Sequence, residues 1–128
     1  MKRGKVPLDP PVDTLQLPPS IERFAHDTLT AFMSSHGFEV TKHYLGLETA
    51  WRAEFVHGKG GRVVGVNSEM DALPAIGHGC GHNLIAISGV GVALAIKSAL
   101  QAHNIPGKVI LLGTPGMTSP MEPRRMWM

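Results

Sequence analysis

Cysteine is almost absent from this chain: one thiol in 128 residues excludes any internal disulfide. A signal peptide is not readable either, because "MKRGKVPLDPP" has prolines where an unbroken apolar stretch would be needed. The compartment these two absences favour is a reducing cytoplasm. Charge of one sign is also scarce. The formal net charge is +2, and no run of Lys or Arg exceeds two, so neither a nucleic-acid footprint nor a polybasic membrane anchor is expected. No segment approaches the roughly 18 apolar residues of a bilayer span, and no internal repeat is present. A phosphate loop ending in Gly-Lys-Ser/Thr and a Gly-x-Ser-x-Gly nucleophile elbow are both missing. What remains is 43% hydrophobic content, enough for one domain with a real core.

Residues 1–19 hold five prolines and little periodicity, which reads as a flexible or extended arm. Ser20 is a plausible N-cap for "IERFAHDTLTAFMSSHG", whose apolar stripe is Ile21, Phe24, Ala25, Thr28, Leu29 and Phe32, with Gly37 placed to end the helix. "FEVTKHY" and "AWRAEFVHG" alternate in character and read as a hairpin. "HGKGG" then turns into "RVVGVNSE", which reads as a central strand buried on both faces. Asn83 to about His103 forms a helix, and "NIPGKVILLGTP" breaks it and opens another apolar strand. Strand, helix, strand is a βαβ unit, which implies parallel pairing and a ligand site in the loops beyond the carboxyl ends of the strands.

"DALPAIGHGCGH" lies in such a loop. It places His78, Cys80 and His82 at alternate positions, with Gly77, Gly79 and Gly81 between and before them. In an extended backbone, residues two apart point the same way, so Cys80 and His82 can converge on one ion; zinc accepts thiolate and imidazole together. The helix that follows aims its amides at this loop and would favour the thiolate. On spacing alone, an inert buried cysteine beside backbone-bonded histidines stands level with metal binding. Asp71 adds weight to the second reading, because a carboxylate just past a strand end can orient a ligand imidazole. Bracing a turn is the commoner fate of a lone Asp, and Glu69 has the weaker claim to a site role. His26, His36, His43 and His57 have no pattern linking them to the loop and read as surface residues. "GVGVALA" at 89–95 superficially resembles a dinucleotide fingerprint, but its glycines fall inside the helix, where they serve close packing on a sheet.

The stretch "NSEMDALPAIGHGCGHNLIAISGVGVALAIKSAL", with "GKVILLGTP" after it, resembles peptidase family M-twenty, the zinc metallopeptidases and amidohydrolases. Within that family it is most similar to the branch with a Cys-Gly-His motif, which includes bacterial aminobenzoyl-glutamate hydrolases and a dipeptidase-like "domain-containing protein 2" group. The likeness runs from about Glu22 to Pro115. It implies an α/β fold: a layered α/β/α zinc-peptidase-type catalytic domain with a mostly parallel sheet, truncated here to residues 20–115, with 116–128 as a tail outside the family pattern.

The resemblance also implies two zinc ions and hydrolysis of amide bonds in N-acyl amino acids or dipeptides. Cys80 and His82 match metal ligands of the family, Asp71 matches its orienting catalytic carboxylate, and His78 belongs to the motif without being a ligand. Asn83 stands where several relatives have Asp. After "GTP" the family continues Ala-Glu-Glu, general base and then metal ligand, whereas this chain reads "GMTSPMEPRRMWM". The chain is therefore expected to bind metal incompletely and to be a poor catalyst alone, or an inactive metal-binding fragment. With strand 108–113 expected at a cut edge, it would self-associate or pair with a full-length relative.

Overall fold

The computed structural model describes residues 19–73 and 76–116, with side chains from Glu22 onward. The arm up to residue 18 and the tail beyond residue 116 lie outside the described residues. The elements are α1 (Pro19–Ser35), β1 (Glu39–Lys42), β2 (Trp51–His57), β3 (Arg62–Glu69), α2 (His82–Ala102) and β4 (Gly107–Thr114), with a single 3-10 turn at Tyr44–Gly46.

α1 begins at Pro19, so Ser20 lies within the helix and is not its cap. Proline is favoured at a first helical position because its missing N–H would have no helical partner there. The buried stripe is rotated one residue from the expected one. His26, Thr30 and Met33 face the core with Ala25 and Leu29 beside them, while Phe24 is 73% exposed. Neighbouring stripes on a helix differ by one residue, about 100° of rotation, and only the position of the sheet chooses between them. Gly37 ends the helix as expected, with φ +80° and the Phe38 N–H donating to the Met33 carbonyl at 3.2 Å.

The strand order is β1-β2-β4-β3. The β1–β2 hairpin is as expected, with Glu39 opposite Glu54 and Lys42 opposite Trp51. The next strand departs from expectation: β3 occupies an edge, and β4 enters between β2 and β3. β4 is the mostly buried strand and β3 is largely exposed. Composition accounts for the exchange, since Val109, Ile110, Leu111 and Leu112 run without a polar break whereas β3 carries Gly65, Asn67 and Glu69. The expectation that 108–113 is the open edge is therefore corrected; the edges of the described sheet are β1 and β3. A mostly parallel sheet is corrected too. β3 pairs with β4 in parallel, but β1–β2 and β2–β4 are antiparallel.

The chain between β2 and β3 must leave a strand-wide slot for β4, and "GKGG" makes that step with Gly58, Gly60 and Gly61 all at positive φ. At Gly61 a Cβ would lie 1.9 Å from the Pro106 carbonyl oxygen, so the approach of the β4 entry requires glycine there.

One apolar cluster joins both helices to one sheet face: Met33, Phe38, Trp51, Ala53, Met70, Ala86, Val90, Ala93, Val109 and Leu111. The described residues form an α/β arrangement of two layers, helices over a sheet. On the other face Glu54 receives hydrogen bonds from Lys108 (2.8 Å) and Arg52, which hold its carboxyl below the usual carboxylate range against the opposing effect of desolvation. By length and composition alone α2 could cross a bilayer, which corrects the expectation that no segment approaches a span. Its placement is that of a crossover helix lying on β3 and β4, with Leu84, Ile87 and Val92 on its exposed side.

Trp51 packs directly over Gly113: a Cβ on Gly113 would sit 2.0 Å from the indole Nε1, which donates to Met70 Sδ at 3.1 Å. Gly113→Ala is expected to destabilise the fold by about 1–3 kcal/mol through overpacking. Equilibrium urea unfolding followed by Trp fluorescence checks this, and an unchanged midpoint would contradict it.

Candidate functional site

The loop between β3 and α2 gathers the polar groups singled out in the sequence. Its β side is fixed by Ser68, fully buried, whose hydroxyl donates to the Ala86 carbonyl at 2.9 Å. Gly89 lets α2 approach that point, because a Cβ there would already stand 3.1 Å from Ser68 Cβ and 3.3 Å from Leu111 Cδ1. This is the close-packing role expected of the helical glycines, at least for Gly89; Gly91 faces open space. Met70, buried, ties the strand end to β4 through its N–H on the Thr114 carbonyl at 3.1 Å. Residues 71–81 therefore leave from a rigid ledge at the carboxyl end of the parallel pair.

Asp71 and His82 meet there. The His82 Nδ1–H donates to Asp71 Oδ1 at 2.7 Å, a short charge-assisted bond joining the two ends of the loop. The other ring nitrogen, Nε2, stands 3.4 Å from Glu69 Oε2. The imidazole is thus held between two carboxylates and is only 25% exposed. α2 begins one residue earlier than expected, at His82, with Gly81 as its N-cap at φ 76°, ψ 20°. The first-turn amides of Leu84 and Ile85 bond to the Gly81 carbonyl, at 3.0 and 3.2 Å. No side chain caps the helix.

Cys80 is not brought into this arrangement; it is an exposed free thiol, and His78 is exposed as well. Alternation needs extended backbone, and the loop is not extended here. The Gly81 N–H donates to the His78 carbonyl at 3.0 Å, closing a turn, and the left-handed Gly81 then rotates His82 into the helix. Among the described residues, no group of three or more His, Cys, Asp or Glu side chains is gathered so as to hold a metal ion.

His26, His36, His43 and His57 are engaged elsewhere. His36 bonds the Phe32 carbonyl, His43 the Glu48 carbonyl and His57 the Asn104 side chain. His26 departs from the surface reading. It is buried, donates to Asp27 at 2.9 Å and stacks on His43 with ring centroids 5.0 Å apart.

Glu22 was not legible as part of this region. From α1 it accepts the Gly116 N–H at 3.3 Å and the Thr49 hydroxyl at 3.1 Å, holding the end of β4 beside Asp71. Its only sequence signal is a carboxylate on the first turn of α1, which is common at helix starts.

Comparison with known proteins agrees with the family read from the loop. No family model matches the chain. Xaa-Arg dipeptidase from Mus musculus is 46% identical over 105 residues, covering 73% of this chain and 24% of that protein. Xaa-Arg dipeptidase from Homo sapiens is 39% identical over 109 residues, covering 73% and 25%. A p-aminobenzoyl-glutamate hydrolase subunit from Escherichia coli (strain K12) is 30% identical over 112 residues, covering 74% and 23%. The chain carries a partial dipeptidase/amidohydrolase domain of the M-twenty type. It spans about a quarter of the length of the curated relatives it matches.

In this M-twenty-type domain the approach to His82 depends on one left-handed residue. Space around Gly81 is open, so Gly81→Ala meets no clash and bears only the cost of the αL backbone. A loss of about 1–2 kcal/mol in stability is expected, measured by denaturant unfolding, while Gly91→Ala inside α2 is expected to be neutral or stabilising.

Proposed function

We propose that the β3–α2 loop is the first half of a metal-dependent amide-hydrolase centre, acting on N-acyl amino acids or dipeptides, with zinc held by Cys80 and His82. The observation that carries this reading is the 2.7 Å bond from Asp71 to His82 Nδ1 at the carboxyl end of β3. A carboxylate bonded to one imidazole nitrogen fixes the tautomer and leaves the other nitrogen as a lone-pair donor, the arrangement used to present histidine to zinc. The donor types suit zinc, thiolate and imidazole alike, and Cys80 is an exposed free thiol two residues before His82 in sequence on a glycine-rich segment. Bound there, zinc would polarise a substrate carbonyl and acidify a water.

The names of the relatives support amide-bond hydrolysis, and Xaa-Arg dipeptides are the first substrates to test. Hydrolysis also needs a base to take a proton from the attacking water. The described carboxylates around the loop are committed: Asp71 and Glu69 face His82, and Glu22 binds Gly116 and Thr49. With no uncommitted carboxylate among the described residues around the loop, metal binding without turnover is the behaviour expected of this polypeptide.

Zinc titration at near-neutral pH against a chromophoric chelator tests the ligands. Cys80→Ser is expected to weaken binding more than His78→Ala, since the thiolate supplies charge as well as a lone pair. Asp71→Asn is expected to weaken it about 10–100-fold. Equal losses from Cys80→Ser and His78→Ala would make His78 a ligand. With zinc added, hydrolysis of an Xaa-Arg dipeptide or N-acyl amino acid is expected to be undetectable; turnover that disappears in Cys80→Ser would mean that the chain supplies its own base.

A further inference from the structure

We propose that this chain pairs with a second copy of itself along β3 and α2, about a two-fold axis that sets Val66 opposite Val66 and Val92 opposite Val92.

An open edge strand supplies the first half of the contact. The two edges of the described sheet differ in kind. β1 is 4 residues long and carries Glu39 and Lys42, the short, charged form in which an edge discourages a further strand. β3 is 8 residues long, with Val63 62% and Val64 41% exposed and no charged residue between Arg62 and Glu69. An edge of that length and character is a template for pairing with another chain.

The flank of α2 above this edge supplies the second half. Lys97 reaches the His36 carbonyl and lies over the Phe38 and Phe55 rings, which fixes the side of α2 that faces α1. At about 100° per residue, the opposite flank carries Ile85, Ser88, Val92, Ile96 and Ala99. Ile85 and Val92 are 40% and 47% exposed, and α2 has no Asp, Glu, Lys or Arg other than Lys97. The apolar flank and the open edge adjoin, so one partner can cover both.

Geometry makes that partner a second copy. α2 lies over β3 and β4, so its axis stands about half a strand spacing inside β3. Pairing two β3 strands at about 4.8 Å puts the two α2 axes roughly 9.6 Å apart, within the 8–10 Å of packed helices.

The position along the strand agrees too. Gly89 packs against Ser68, and Leu100 against Gly107, the register partner of Arg62. Interpolation between these contacts sets Val92 above Val66, so one axis passes through both. Antiparallel pairing about it brings Val64 to Ser68, Ile85 to Ala99 and Ile96 to Ser88 of the second copy. Each larger side chain meets a smaller one, which lets the helices close on each other.

Charge runs the same way. Lys59 and Arg62 stand at the start of β3, and Glu69 and Asp71 at its end. Antiparallel copies therefore bring a basic start to an acidic end twice over. Such a contact uses the same surface on both partners and closes at two copies.

The test is sedimentation equilibrium of the whole chain across the micromolar range, under reducing conditions. A dimer is expected. Val64→Lys on the edge and Val92→Lys on the helix flank should each weaken it about tenfold or more, because each change occurs twice in a two-fold contact. Both side chains are exposed, and far-UV circular dichroism verifies that the variants keep the fold. Arg62→Glu should weaken the dimer as well, by a margin that shrinks with added salt. Position is read by mild oxidation in a Cys80→Ser background: Val92→Cys is expected to form an intermolecular disulfide. Leu84→Cys, 65% exposed but on the outer surface of α2, is expected not to.

A monomeric parent chain would overturn the inference, and a monomer that floats with phosphatidylcholine vesicles would assign the α2 flank to lipid instead. A dimer indifferent to both lysine substitutions, or equal cross-linking at the two cysteine positions, would place the contact elsewhere and overturn it. Growth beyond the dimer would also overturn it, since a two-fold contact is closed.

Discussion

The parallel pairing of β3 with β4 is the constraint on which the rest of this structure depends. Bringing two strands into parallel register requires a crossover, and α2 supplies it by lying across both of them. The crossover puts the end of β3 and the start of α2 at the same edge of the sheet, so Glu69, Asp71 and His82 meet although the loop between them contains eleven peptide positions from Asp71 to Gly81. Everything that tightens the crossover also sharpens the site: Gly89 against Ser68, the Ser68 hydroxyl on the Ala86 carbonyl, and the Met70 amide on Thr114.

Within that frame the electrostatics are concentrated on one ring. Two carboxylates address the imidazole of His82, and the ring sits at the amino end of a 21-residue helix that has no acidic residue in its first turn. The positive end of the helix dipole is therefore balanced from outside the helix, by side chains at the strand end. Cys80, an exposed free thiol, takes no part in this arrangement. The relatives that carry this domain are named as dipeptidases and an aminobenzoyl-glutamate hydrolase, and the part of the domain seen here spans about a quarter of their length.

Much of this was legible in the chain itself. The helices and strands follow from apolar periodicity and from the glycine and proline breaks at Gly37, "GKGG" and "NIPG", which act locally. The family follows from the joint match of the βαβ pattern with the "DALPAIGHGCGHN" loop, and the pairing of Asp71 with a histidine follows from a carboxylate placed just past a strand end. These are short-range signals, readable because the residues that decide them are near one another in sequence.

Contacts between distant segments decided the rest. Which stripe of α1 is buried depends on where β2 and α2 lie, so the outward turn of Phe24 could not be read from the helix alone. That β4 and not β3 is central depends on which strand best tolerates neighbours on both edges, a comparison across the whole sheet. Glu22 meets Gly116 only because α1 passes the end of β4. The alternation of His78, Cys80 and His82 suggested convergence, yet a turn closed by Gly81 separates the last two, while the fold brings Glu69 to the imidazole of His82. The sequence by itself determined which residue types and which local elements exist. Tertiary structure decided which of those side chains face one another, because strand order and helix rotation are set by burial summed over the whole domain.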